Sequence, residues 1–304
     1  MSVNLSRSNS SDGAASSGKK SNSKSTTRSE AFSYVDGRRY HNEEDCPYPL
    51  PNDLTEIDRL DIQHYSIQHV SGRKHHAPLD NPKRALDIGT GTGTWMLEMA
   101  ADFPDCEFLG LDVAPLQPTV VLPQNCKFEL ANILEGIPHP DNQFDYVHHR
   151  LLIAAIPKNQ WQSYVEDCVR VCASGGWVEM VETNGNIYNS GEVGKQFSEL
   201  TVKAFLAGGF GIDTVDHLDD LMRDAGLQDV TVEELQIPLG KWGGRVGELF
   251  EKNYRMGLTG LTPFFTNVCG LTKEEITIML EKAIAEFSEH HAYIRFRVYT
   301  GRKL

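Results

Sequence analysis

The chain has 304 residues, 40% hydrophobic and 23% charged, so it can build a core without disulfide staples, as one large domain or two small ones. Its formal net charge of -13 argues against direct binding to nucleic-acid phosphates, which needs clustered Lys and Arg. No apolar run approaches the roughly 20 residues that span a bilayer, and the N-terminal residues lack the apolar core of a secretory signal.

The six cysteines form no C-x-x-C pair and no disulfide ladder. Cys168 and Cys172 stand four apart in a predicted helix, where packing explains them without a metal. We expect reduced thiols in an intracellular protein of the cytoplasm, the nucleus or both.

Residues 1–31 are rich in Ser, Asn, Gly, Lys and Thr and hold no aromatic residue, so they predict a disordered tail. Its cluster Lys19, Lys20 and Lys24 fits a nuclear import signal, a phosphorylation-tuned tail or a plain solvated one. A folded domain is expected over 40–304. Its first part, 40–80, reads as a helical cap: Asp53-Leu-Thr-Glu56 matches a helix start, and Leu54, Ile57 and Leu60 follow at helical spacing to about Val70. That helix could cover a ligand or pack on a sheet edge.

From 83 to 182 strands and helices alternate. Strands are predicted at Arg84–Ile88, Glu107–Asp112, Lys127–Leu130, Phe144–His148 and Trp177–Val181, and helices at about 94–103 and 161–171. This order predicts parallel βαβ units. Over 183–304 we expect an acceptor-side insertion, helices near 193–207, 214–225 and 272–290, and strands at Val230–Ile237 and Tyr293–Tyr299. Gly208-Gly-Phe-Gly211 could hinge a lid or simply form a loop.

The segment Leu86-Asp-Ile-Gly-Thr-Gly-Thr-Gly93 joins the first of these strands to its helix. Alternate glycines let backbone approach a ligand closely, and the spacing differs from the G-x-G-x-x-G of dinucleotide sites. Asp87 would repel a pyrophosphate but can accept a bond from an ammonium. Asp112, about 20 residues beyond the glycines, can hold both hydroxyls of a ribose. Asn132 can bond an adenine edge, with Ile133 packed on the ring. In this order the residues match a ligand with an amino-acid tail, a ribose and an adenine: S-adenosylmethionine.

These motifs, with Gln143-Phe-Asp-Tyr-Val147 and Ala173-Ser-Gly-Gly-Trp177, resemble class I S-adenosylmethionine-dependent methyltransferases. Tyr48-Pro-Leu-Pro-Asn-Asp53, Arg59-Leu-Asp-Ile-Gln-His64, Pro115-Leu-Gln-Pro118, Gly176-Trp-Val-Glu179 and Gly301-Arg-Lys303 narrow the resemblance. It is to the fungal family that includes velvet-complex regulators of secondary metabolism, and it covers residue 40 to the end. The resemblance implies an α/β fold, a Rossmann-like, mostly parallel seven-stranded sheet in the order 3-2-1-4-5-7-6, with helices on both faces and the last strand antiparallel. It also implies that Asp87, Gly89, Thr90, Gly91 and Gly93 surround the methionine moiety, that Asp112 and Val113 meet the ribose, and that Asn132 and Ile133 meet the adenine. His149 and Arg150 then line the sulfonium and acceptor pocket.

Methyl transfer is an in-line displacement that needs a general base only when the acceptor must lose a proton. His148, His149 and Glu182 are the candidates, and the two histidines should face opposite sides of their strand. No carboxylate cluster suggests a metal, and Trp161, Trp177 and Trp242 are expected in the core. The acceptor, small molecule or protein, is not legible. Two rivals stand beside the enzyme: a cofactor-binding regulatory scaffold with protein partners and little turnover, and a nicotinamide-dependent oxidoreductase, against which Asp87 speaks.

Overall fold

The structure, a computed structural model, describes residues 32–43, 46–117 and 122–304. The tail predicted over 1–31 lies outside these residues. The chain opens on a hairpin, β1 (Phe32–Val35) and β2 (Arg38–His41), that the sequence reading did not anticipate. Its signal was present: Asp36-Gly37 supplies two residues with positive φ, +50° and +77°, which a tight two-residue turn requires. Asp53 then caps helix α1 (Leu54–Ser71) by accepting the Glu56 amide at 3.0 Å.

The buried face of α1 is not the one its apolar spacing suggested. Leu54 is 80% exposed, whereas Glu56 and Arg59 are buried. Arg59 donates to Glu56 Oε1 and to Asn253 Oδ1 at 2.8 and 2.9 Å, so a polar network docks this helix. Its local periodicity could not report a partner 194 residues away.

The core strands are β3 (Arg84–Ile88), β4 (Glu107–Asp112), β5 (Cys126–Leu130), β6 (Phe144–Arg150), β7 (Cys172–Tyr188), β8 (Gln228–Pro238) and β9 (Tyr293–Arg302). They form one seven-stranded sheet in the order β5-β4-β3-β6-β7-β9-β8. Counted from β3, that is the expected 3-2-1-4-5-7-6, with β9 antiparallel to both its neighbours. Helix α2 (Thr94–Asp102) packs Met96 and Met99 on Ala85, Phe108 and Tyr146. On the other face, α3 (Trp161–Val171) and α5 (Leu218–Asp224) cover Leu86, Ile88 and Val147.

A third apolar cluster joins β7, β8 and β9 to α4 (Gly191–Ala207), α6 (Gly244–Gly260), α7 (Thr262–Cys269) and α8 (Lys273–Phe287). The Thr272–Glu275 capping box that starts α8 is formed. Helices α6 and α7 were not foreseen. Gly244, Gly247, Gly257 and Gly260 weaken the helical propensity of α6, yet Phe250, Tyr254 and Leu258 repeat every four residues and are buried. Strand β7 also runs past the predicted end at Val181 to Tyr188, through Gly185 at φ +71°, so 183–188 belongs to the sheet. Trp161 is buried and Trp177 partly so, but Trp242 is 41% exposed, against expectation. Among the described residues no helix is long and apolar enough to cross a membrane.

Candidate active site

The glycine-rich turn connects β3 to α2 through three left-handed residues, Gly89, Gly91 and Gly93, at φ +64°, +58° and +77°. They are not equivalent. A Cβ on Gly89 would stand 2.3 Å from Leu152 Cδ2, and one on Gly93 2.5 Å from Phe128 Cζ. One on Gly91 would meet only Leu60, at 3.6 Å. Gly89 and Gly93 thus admit tight packing, while Gly91 keeps the loop open. Gly110, which the sequence reading passed over, completes the arrangement: its Cβ would stand 2.7 Å from Phe128 and 2.9 Å from Thr90. A lone glycine inside a strand pattern was the available signal.

The loop is held by the two aspartates it was paired with. Asp112 accepts the Gly91 amide at 2.8 Å through one oxygen and the Ala114 amide at 2.9 Å through the other. Burial raises its pKa, against the pull of these amides. Asp87 accepts the Thr90 hydroxyl at 2.6 Å and bonds His148 Nδ1 at 2.7 Å. The His148 ring in turn stacks on Trp95, with centroids 3.7 Å apart. Asn132 Oδ1 accepts the Leu134 amide at 3.1 Å, which leaves the side-chain nitrogen as a donor for a ligand.

Gly91, Asp112 and Asn132 open on a cavity of about 1640 Å³, mouth included. Gly89, Gly91, Asp112, Val113, Asn132 and Ile133 line it above β3, β4 and β5. Leu151, Ile153, Phe205, Ile212, Phe250 and Phe296 line the part above β6, β7 and β9. The cavity lies at the carboxyl ends of the parallel strands, where open α/β sheets bind ligands. Helix α1 contributes Arg59, Leu60 and Gln63, so it roofs the cavity, and its contacts with β8 leave it near the sheet as well.

A recess of about 440 Å³ adjoins the cavity and is lined by Asp87, Thr90, His148 and Arg150 among others. Arg150 is the last residue of β6, inside the strand rather than beyond it. Its guanidinium donates to His64 Nδ1 at 3.0 Å and has no ion-pair partner among the described residues. His64 Nε2 faces Glu98 at 3.3 Å. Burial first, and Arg150 second, push the His64 pKa from 6.5 to about 4, so the ring is neutral and accepts from Arg150 without adding a like charge.

Comparison with known proteins now settles the class. A family model described as a methyltransferase domain matches residues 85–176. Methyltransferase pytC of Aspergillus terreus is 30% identical over 297 residues, covering 90% of this chain and 88% of its own. The chain belongs to the fungal methyltransferase family. The secondary metabolism regulator laeA of Coprinopsis cinerea is also 30% identical, over 88% of this chain and 73% of its own. N-methyltransferase verN of Clonostachys rogersoniana is 27% identical, over 82% and 90%. The protein is a methyltransferase, and S-adenosylmethionine is its methyl donor.

Within this methyltransferase the three candidate bases do not gather at the cavity. His148 and His149 do point to opposite faces of β6, the first to Asp87 and the second to the Tyr164 hydroxyl at 2.7 Å. His149 is 1% exposed and Glu182 0%, and neither lines the cavity or the recess. His149, expected to line the ligand pocket, is therefore not part of the cavity wall. Strand alternation turns it into the layer between the sheet and α3. Glu182 instead accepts the Leu152 amide at 2.6 Å, inside the same layer.

Proposed function

We propose that the methyltransferase holds its donor across the recess and the near end of the cavity, and takes a small-molecule acceptor into the far end. One observation carries this reading: the buried Asp87 carboxylate and the half-buried Arg150 side chain line a single recess, within electrostatic reach of each other but without a direct ion pair. An amino-acid zwitterion supplies the complement of both charges. The Asp87 oxygens keep lone pairs for an ammonium beyond their bonds to Thr90 and His148. Asp112 is positioned for the ribose hydroxyls, and Asn132 with Ile133 for the adenine. Gly91 gives this ligand access because it has no side chain to obstruct it.

The donor supplies a methyl group on a sulfonium, whose displacement by an acceptor lone pair requires alignment more than covalent help. The residues of this chain serve that end. Asp87, steadied by His148, fixes the tail. Arg150, at the tip of β6, lines both recess and cavity, and Leu151, the next residue, lines the cavity. Phe205, Phe250 and Phe296 keep water from the far end. His149 and Glu182 are sealed inside the protein, so neither is placed to take a proton from the acceptor. We place the enzyme inside the cell, in the cytoplasm, the nucleus or both, in keeping with its six free cysteines.

The test is calorimetric titration with S-adenosylhomocysteine beside Asp112→Ala. Micromolar binding lost in the variant supports the donor site, whereas no binding to folded wild type sinks it. Similarity to a secondary metabolism regulator favours a second reading, a scaffold that binds the cofactor and assembles regulatory proteins with little turnover. Multiple turnover with any acceptor would eliminate it.

A further inference from the structure

Resting on that donor placement, we propose that the acceptor is a neutral, mainly apolar small molecule about 10 Å long, carrying an oxygen that Tyr254 recognises. The length follows from the fold. The far end of the cavity lies over β6, β7 and β9, and two strand spacings of about 4.8 Å set its width.

Neutrality follows from the charges. Asp112 is the one carboxylate lining the cavity among the described residues, and it belongs to the ribose end. Arg59 also lines the cavity, but its guanidinium is committed to Glu56 and Asn253. Arg150 is taken up by the carboxylate of the donor. A lysine or arginine side chain of a protein acceptor would meet no counter-charge at the far end, and burying it unpaired is strongly unfavourable.

Two polar atoms in these walls lack a partner. The Tyr254 hydroxyl is buried without a hydrogen bond, on a residue 7% exposed that lines the cavity from α6. The Thr201 hydroxyl stands beside it as a weak acceptor and donates its own proton to Phe197 O at 2.9 Å, so Tyr254 makes no well-formed bond. Asn52, 3% exposed, accepts from Arg39 through Oδ1 at 2.8 Å, and its side-chain nitrogen is unpartnered. Buried donors of this kind are rarely left unsatisfied. Each can donate, so the complement of either is a carbonyl, ether or hydroxyl oxygen.

The experiment uses the full chain saturated with S-adenosylhomocysteine and two rods of roughly this length: acetylbiphenyl, and ethylbiphenyl as the same skeleton without oxygen. Calorimetry should show the ketone binding about 5-fold more tightly or better, as one neutral hydrogen bond gives. Tyr254→Phe should erase most of that preference while leaving ethylbiphenyl affinity, which reports an intact cavity, unchanged. Equal binding of both rods, binding of neither, or an unaltered preference in Tyr254→Phe overturns the proposal. If S-adenosylhomocysteine itself fails to bind, it is the donor placement that falls.

Discussion

Glu182 accepts the amide of Leu152 at 2.6 Å, and the turn it pins holds Leu151 at φ +61°. A non-glycine residue in this region costs about 1–2 kcal/mol and persists only where its surroundings enforce it. The Leu151 amide, bonded to Val181 O at 2.9 Å, is the other restraint. Leu151 lines the cavity and Leu152 fills the space over Gly89, so Glu182 shapes the cavity wall without lining it.

Glu182→Gln retains an accepting oxygen and should keep most of the turnover. Glu182→Ala should lower kcat by about 10- to 100-fold through misalignment. Neither should reshape the pH–rate profile. A Gln variant as inactive as the Ala variant, with the rising acid limb gone, would show that Glu182 is the base instead.

His64 should make stability depend on pH. Its folded pKa, about 4, lies below the ordinary 6.5, so between these values the unfolded chain binds the extra proton. The contribution is complete above about pH 6.5 and is lost as pH falls toward 4. Urea unfolding across that window should give a steeper loss for wild type than for His64→Gln; parallel curves would refute the assignment.

The glycines of the loop should separate by function. Gly91→Ala meets only Leu60 at 3.6 Å, so it should cost about 1–2 kcal/mol of stability through its φ of +58°. Because Gly91 borders both the cavity and the recess, the same methyl should weaken S-adenosylhomocysteine by more than 10-fold. Gly93→Ala, clashing with Phe128, should lose more stability. Denaturation and calorimetry on the same samples would expose any failure of this split.

The buried pair Glu56 and Arg59 predicts a large effect away from the chemistry. Arg59→Ala leaves the Glu56 carboxylate buried without its partner and should cost about 3–5 kcal/mol. A double replacement, Glu56→Gln with Arg59→Met, should recover part of that loss. A urea midpoint for Arg59→Ala equal to wild type would mean the pair contributes nothing.

By itself the sequence determined the sheet and the places in it of the residues proposed to hold the donor. Both are written in short-range patterns. Alternating strands and helices set the parallel order, and Asp87, the three glycines, Asp112 and Asn132 are fixed to strand ends by chain proximity. Tertiary structure alone decided the rest. Whether His149 reaches a ligand depends on which face of β6 it occupies, and the structure turns it toward Tyr164. Whether Arg150 is paired depends on a helix 86 residues earlier, which brings it a neutral His64. Tyr254 comes from a glycine-rich helix whose propensity is poor and whose stability is supplied by packing. Contacts that separate residues by one or two hundred positions leave no local periodicity, so the acceptor end of the cavity was invisible until the chain was folded.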